Sequence, residues 1–167
     1  MTDRPLPFFV YGTLRPGQRN HAHFLGGHCA RIQPAVLAGA LLHEGPGYPY
    51  LVADPDSRRR VLGELITVRP GDFTPVLAAL DLLEGCRPDG SGHYIRLPLP
   101  VTVTASASAS TPTAATATTT TDASAGPPAP DPAEQVTAWV YLAGPEQAAR
   151  LRAHPAPIAS GDWTHPR

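Results

Sequence analysis

Apolar and polar positions alternate most clearly over residues 60–68. Leu62, Glu64, Ile66 and Val68 share one face of that stretch; Val61, Gly63, Leu65 and Thr67 share the other. Both faces are largely apolar, which predicts a central strand. Residues 6–11 predict a first strand of β-favouring residues that breaks at Gly12, where no Cβ restricts the backbone. A glycine- and proline-rich loop follows over 12–20, then a short helix from His21 to Leu25 ended by Gly26-Gly27. Residues 35–42 fit strand or helix by pattern, and the internal Gly39 with the turn signals beyond favours strand. Gly45-Pro46-Gly47-Tyr48-Pro49 is a rigid turn, and Tyr50 to Ala53 is a short strand closed by Asp54-Pro55-Asp56. A helical period then begins, with Thr74 as N-cap and Pro75 in the first helical position. It runs to Glu84 and stops at Gly85. Tyr94 to Val103 and Val136 to Leu142 are the last two predicted strands.

Between those two strands, Thr104 to Ala133 contains only Ala, Ser, Thr, Pro, Gly and Asp. With nothing large to bury, such a segment cannot offset its own ordering entropy. It is expected to be a disordered insertion in a hairpin connection. The remainder of 5–163 is expected to fold as one domain interrupted by 104–133. About six strands and one principal helix give an α+β class, a small mixed and partly closed β-barrel with flanking helices.

Composition narrows the partners. The chain has 167 residues, enough for one domain with a real core, and a net charge of -1. That charge carries no electrostatic footprint for nucleic acid or an anionic membrane. Cys29 and Cys86 form no C-x-x-C pair, so a reduced intracellular protein is the simpler expectation. Residues 1–5 lack the apolar stretch of a secretory signal, and no run approaches the ~20 apolar residues of a membrane span. A soluble, cytoplasmic protein is therefore expected.

Two stretches carry candidate chemistry. In Tyr11-Gly12-Thr13-Leu14 a strand meets a glycine turn and a small hydroxyl residue, a way to present bare backbone N–H groups to an anionic ligand. In the predicted helix, Leu77, Leu80 and Glu84 fall at i, i+3 and i+7, so Glu84 extends the apolar stripe. Burial and the negative end of the helix dipole both raise a carboxyl pKa there, which suits general base and then general acid work. The same pattern also fits a frayed helix end with Glu84 in water. Glu64 is the competing carboxylate, but a strand mid-point is a poorer place to aim a base, which favours its pairing with a nearby Arg or a hydrogen bond across strands. Asp81 fits a solvated or loop-binding role. Tyr94 and Arg96 alternate onto one strand face, where they position a carboxylate substrate or form a cross-strand pair. Tyr48 and Tyr50, beside a proline turn, fit packing.

Other chemistries find less support. Gly12 to Gly17 has phosphate-loop spacing without the Lys-Ser/Thr that would complete it, and no G-x-S-x-G elbow occurs. Cys86 with His93 makes a nucleophile pair conceivable, though a lone loop cysteine is more often inert. His21-x-His23 would suit a metal on a strand, but this region reads as helix or loop, where solvated histidines are the simpler expectation.

Taken together, Phe9-Val10-Tyr11-Gly12-Thr13-Leu14-Arg15-Pro16-Gly17 with Asn20-His21, Gly47-Tyr48-Pro49, Val61-Leu62-Gly63-Glu64-Leu65, Leu80-Asp81-Leu82-Leu83-Glu84-Gly85 and Tyr94-Ile95-Arg96 resemble the gamma-glutamylcyclotransferase-like superfamily. The N-terminal stretch resembles the gamma-glutamylamine cyclotransferase branch most. The resemblance implies a mixed β-barrel with flanking helices and no cofactor or metal. It implies that Tyr11 to Leu14 bind the gamma-glutamyl group and that Glu84 is the acid/base. The implied reaction cyclises a gamma-glutamyl amide to 5-oxoproline and frees the amine. A non-catalytic metabolite-binding domain of the same fold is the alternative.

Overall fold

The computed structural model describes residues 5–104 and 133–165. The expected insertion, apart from its two end residues, lies outside them. Seven strands and three helices are present among the described residues: β1 (Phe8–Val10), α1 (Arg19–Phe24), β2 (Cys29–Ala38), β3 (Ala40–Glu44), β4 (Pro49–Ala53), β5 (Arg60–Val68), α2 (Phe73–Leu83), β6 (Tyr94–Val103), β7 (Gln135–Ala143) and α3 (Pro145–Ala153). Five strands close a barrel in the order β1-β5-β2-β6-β7, and β3 with β4 forms a separate ribbon. The barrel is α+β and mixed, as expected: all neighbours are antiparallel except β1 with β7, joined in parallel through Phe8 and Trp139.

β5 is central, pairing with β1 on one side and β2 on the other. Its two apolar faces feed two cores. Phe9, Leu37, Val61, Leu65, Val101, Val140 and Leu142 fill the barrel, closed off by Leu42 and Leu51 of the ribbon. Phe8, Val10, Ile66 and Val68 face outward onto Leu25 after α1 and onto Val76 and Leu80 of α2. Phe8, Phe9, Leu25, Leu42, Leu51, Ile66 and Leu80 are each at most 1% exposed. Full burial of each such side chain contributes ~1.5–3 kcal/mol, so truncation in either core is costly. Among the described residues, no helix is long and apolar enough to cross a membrane.

Three expectations are corrected, and one helix is added to those expected. Residues 35–42 belong to two strands, β2 and β3, broken at Gly39, whose φ is +68°. Thr74 is inside α2 and does not cap it, because Pro70–Asp72 form a 3-10 turn that leads directly into Phe73 with Asp72 at the N-cap. β1 ends at Val10, leaving Tyr11 just beyond the ladder. The helix α3, which opens on Gly144 and Pro145, was not anticipated.

Candidate active site

The glycine turn is built from the end of β1 outward. After Val10 the chain folds back, and the Arg15 amide donates to the Gly12 carbonyl at 3.0 Å. The following helix ties the turn down. Asn20 Nδ2 donates to Thr13 Oγ1 at 2.9 Å, and the Asn20 amide to the Thr13 carbonyl at 3.1 Å. His21 Nδ1 lies 2.8 Å from the Leu14 carbonyl oxygen. That contact gives His21 a backbone partner; among the described residues, no cluster of three metal-ligating side chains forms.

Arg15 anchors the turn from the other side. Its Nε and Nη2 donate to the two Glu64 oxygens, both at 2.8 Å, and its Nη1 donates to Asp162 Oδ1 at 2.5 Å. The three side chains are 13%, 18% and 14% exposed. Glu64 is thus the paired carboxylate that its strand position suggested. Burial alone would raise the Asp162 pKa, but the Thr164 hydroxyl and amide, with the Arg15 guanidinium, bring it down to about 2.

Glu84 is the C-cap of α2, its amide donating to the Leu80 carbonyl at 2.9 Å. The helix stops there because Gly85 turns at φ +60°, a left-handed conformation that favours glycine. Glu84 is half-buried and lines a pocket of about 30 Å3 with Tyr11, Gly12, Thr13, Leu14, Tyr48, Tyr94 and Tyr141. Burial pushes its pKa up to about 7, and no charge or hydrogen bond offsets that rise. Three phenols surround the carboxyl and are tied in place. The Tyr11 hydroxyl donates to the Tyr141 carbonyl at 2.5 Å, that of Tyr94 to the Pro49 carbonyl at 2.7 Å, and that of Tyr141 to Asp81 Oδ1 at 2.7 Å. Burial raises all three phenol pKa values, and Glu84 raises them further. They stay neutral across the physiological range.

Of the residues singled out in the sequence, Tyr11, Gly12, Thr13, Leu14, Tyr94 and Glu84 meet in this one pocket, and Arg96 does not. Arg96 is two residues beyond Tyr94 on the same strand face. Its guanidinium lies over the Trp139 ring at 4.5 Å, with Nε 3.2 Å from Asp81. Asp81 is half-buried between Arg96 and Tyr141, not solvated. Tyr48, read as packing, does pack against the outer core and also lines the pocket. Tyr141 is the pocket residue that sequence reasoning missed. Cys86 is a poor nucleophile: burial raises its thiol pKa, and Asp81 raises it further.

The arrangement places one carboxyl that titrates near neutrality opposite a turn of backbone amides, among neutral phenols. Such a site can take up and return a proton while holding a small anionic or carbonyl-bearing group. Gly12 fixes the spacing. A Cβ there would lie 2.7 Å from Pro49 Cγ and 2.8 Å from Cδ. Gly12→Ala is therefore expected to displace the turn or Pro49 and to lower turnover at least ~10-fold, with the melting temperature changed by only a few degrees. Parallel activity and melting measurements check this; full activity in the variant would show that the turn does not hold substrate.

A profile of the family described as "Gamma-glutamyl cyclotransferase, AIG2-like" matches residues 8–165. No curated protein sequence matches significantly. Among solved structures, an AIG2-like protein from Mus musculus is similar at 24% identity and TM-score 0.56, over 86% of this chain and 82% of that one. YkqA from Bacillus subtilis is similar at 19% identity and TM-score 0.55, over 95% of this chain but only 39% of its own length. A yeast gamma-glutamyl cyclotransferase specific to glutathione aligns at 14% identity and TM-score 0.51, over 94% and 81% of the two chains. At these identities the structural likenesses speak for the barrel fold. With the profile spanning nearly the whole described domain, the chain belongs to the gamma-glutamyl cyclotransferase, AIG2-like family.

Proposed function

We propose that this protein is a cyclotransferase that converts the gamma-glutamyl group of a gamma-glutamyl amide into 5-oxoproline and releases the free amine. The observation that carries this reading is the half-buried Glu84 carboxyl, at a pKa of about 7, facing the Tyr11–Leu14 turn in one pocket.

The chemistry is intramolecular. Ionised Glu84 takes a proton from the substrate's α-ammonium. The freed amine attacks the γ-carbonyl carbon, forming a C–N bond and moving the carbonyl π electrons onto oxygen. Amides of the Gly12–Leu14 turn face the substrate and stabilise its negative oxygen atoms. When the tetrahedral intermediate collapses, the original C–N bond breaks, protonated Glu84 gives its proton to the departing amine, and the ring nitrogen passes its second proton to Glu84 and on to the released amine, which leaves as an ammonium ion. Attacking and attacked atoms belong to one molecule, so the enzyme's main task is to hold the curled conformation; well-oriented intramolecular reactions reach effective molarities of ~10^5–10^8 M. Tyr11, Tyr94 and Tyr141, whose hydroxyl hydrogens go to the Tyr141 carbonyl, the Pro49 carbonyl and Asp81, wall the pocket and limit water around Glu84. The residues cited need no metal or organic cofactor for these steps.

Release of 5-oxoproline from a panel of gamma-glutamyl amides tests the reaction class. Turnover that saturates with substrate is expected for at least one member. Ligand-induced thermal stabilisation without any 5-oxoproline would instead support a binding domain of the same fold.

A further inference from the structure

The pocket around Glu84, about 30 Å3, has room for about one water, so a wall must give way before a gamma-glutamyl amide can enter. Among the described residues, all that line it are buried except Glu84 and Tyr48. Solvent therefore meets the pocket at those two side chains. Of the phenols around it, Tyr48 has the loosest hold. The hydroxyls of Tyr11, Tyr94 and Tyr141 are tied at 2.5–2.7 Å. That of Tyr48 has two neighbours, the Tyr50 hydroxyl and His93 Nε2, each at 3.4 Å, which is long for a hydrogen bond.

His93 is the post against which Tyr48 rests. Its Nε2 lies 3.0 Å from the Tyr50 hydroxyl oxygen. Tyr50, buried in β4, stacks on Tyr94 with ring centroids 5.6 Å apart. Tyr48, Tyr50 and His93 thus form a triangle of polar contacts at the pocket mouth, one side short and two long. The post is mounted on the helix end that carries Glu84. The His93 amide donates to the Gly85 carbonyl at 3.1 Å, and the His93 carbonyl accepts from the Gly144 amide at 2.8 Å. Gly92 makes that approach possible, because a Cβ on it would lie 2.2 Å from the Gly85 oxygen. His93 itself is exposed and outside the pocket lining, so it has no direct part in the chemistry at Glu84.

We propose that Tyr48 is the wall that yields to admit substrate, and that His93 is a positioning residue which, directly and through Tyr50, returns Tyr48 to its place over the bound gamma-glutamyl group. Two long contacts on the Tyr48 hydroxyl are weak enough to break on entry and to re-form on closure. The assignment rests on the cyclotransferase reading and adds to it a residue outside the pocket.

Steady-state kinetics on variants tests it, with gamma-glutamyl-ethylamide, gamma-glutamyl-butylamide and gamma-glutamyl-leucine in the panel and the member of highest kcat/KM as substrate. His93→Phe keeps an aromatic ring against Tyr50 and Tyr94 but has no ring nitrogen. Its KM is expected to rise about fivefold, the worth of one hydrogen bond. Its kcat should stay within about twofold of native, since Glu84 and the glycine turn are untouched, and its melting temperature within a few degrees. His93→Gln, whose amide reaches the position of Nε2, is expected to recover most of the lost affinity. Tyr48→Phe is expected to raise KM as His93→Phe does, and in that background His93→Phe should add nothing, because its route to the pocket is already gone. An unchanged KM in folded His93→Phe would overturn the proposal, and so would effects of the two substitutions that add. A joint fall in kcat and melting temperature that His93→Gln does not recover would make His93 a structural residue only. If the native protein yields 5-oxoproline from no panel amide, the cyclotransferase reading falls, and this assignment with it, before any variant is made.

Discussion

Glu84→Gln is expected to abolish 5-oxoproline formation and, at the same time, to make the protein more stable at alkaline pH. The first effect follows from the acid/base role proposed for Glu84: kcat should drop ~10^2–10^4-fold. In the native protein, activity should rise with pH through about 7, where Glu84 loses its proton. The second effect comes from the same cause. The Glu84 pKa is raised by burial from 4.5 to about 7 in the folded state. Its contribution to stability is fully present below the unfolded pKa and is lost as pH rises through the folded one. Above that point a half-buried carboxylate is held ionised, at a cost of at most ~3 kcal/mol. Gln has no such cost. At about pH 8 the variant should therefore melt ~5 °C higher than the native protein, and at about pH 4 the two should coincide. Differential scanning calorimetry at both pH values, with activity assays, reads both effects. A solvated Glu84 would give no pH-dependent stability difference, and an inactive but unstabilised variant would separate the catalytic role from the electrostatic one.

The second large effect is expected from Arg15→Met. Its guanidinium is shared between Glu64 on β5 and Asp162 in the C-terminal segment, all three side chains largely buried. Removing the cation leaves two carboxylates facing each other in a poorly solvated site. Breaking such a group by deleting one partner costs ~3–5 kcal/mol. The loss should be largest near neutral pH. Asp162 has a pKa lowered to about 2 in the fold, so its contribution is present above the unfolded carboxyl value and disappears as pH falls toward 2. Urea midpoints for native protein and variant should converge on acidification. Because Arg15 immediately follows the Gly12–Leu14 turn, activity is expected to fall even at low denaturant, through KM if the turn holds the substrate carboxylate and through kcat if it holds the oxyanion. An Arg15→Met variant as stable as the native protein would show that the ion pairs contribute nothing net.

Sequence alone reached much of the barrel because alternation and turn chemistry agreed there. β5 carries apolar residues on both faces, and only a strand buried on both sides needs that. β6 was bounded at its true ends because Tyr94 and Val103 follow and precede glycine-rich and small-residue stretches that cannot continue a strand. The first half of β2, Cys29 to Pro34, was illegible for the opposite reason. Its residues are mostly exposed and include a proline, and hydrogen bonds to β5, not buried side chains, hold it in place. α3 was missed because Ala148 is its only buried residue, too little to make an apolar stripe. Gly144-Pro145 at its start was the signal available.

At the pocket the limit was geometric. Period-two alternation tells which face a side chain occupies but not how far along the strand the ligand extends. Arg96 shares a face with Tyr94, yet two residues of strand carry it ~6.6 Å further, out of the pocket and onto Trp139. Tyr141 could not be placed from the sequence because its nearness to Glu84 depends on the register of β7 against β6, with Arg96 opposite it. Glu84 itself was ambiguous in the sequence. What resolves its surroundings is the packing of Val76 and Leu80 onto β1 and β5, which turns the end of α2 toward the glycine turn.

The β6–β7 hairpin has a practical consequence. Its ladder runs unbroken from Tyr94 opposite Ala143 to Thr102 opposite Gln135, and the Val103 amide still donates to the Glu134 carbonyl at 2.8 Å. The chain therefore departs and returns through one doorway, about 30 Å along the strand from Tyr94 at ~3.3 Å per residue. Whatever is spliced between those two points, whether a two-residue turn, an affinity tag or a fluorescent reporter, enters on ends already held together, and loop closure grows only slowly more costly with length. That doorway makes the protein a natural host for a domain insertion, with the cargo kept away from the reacting groups.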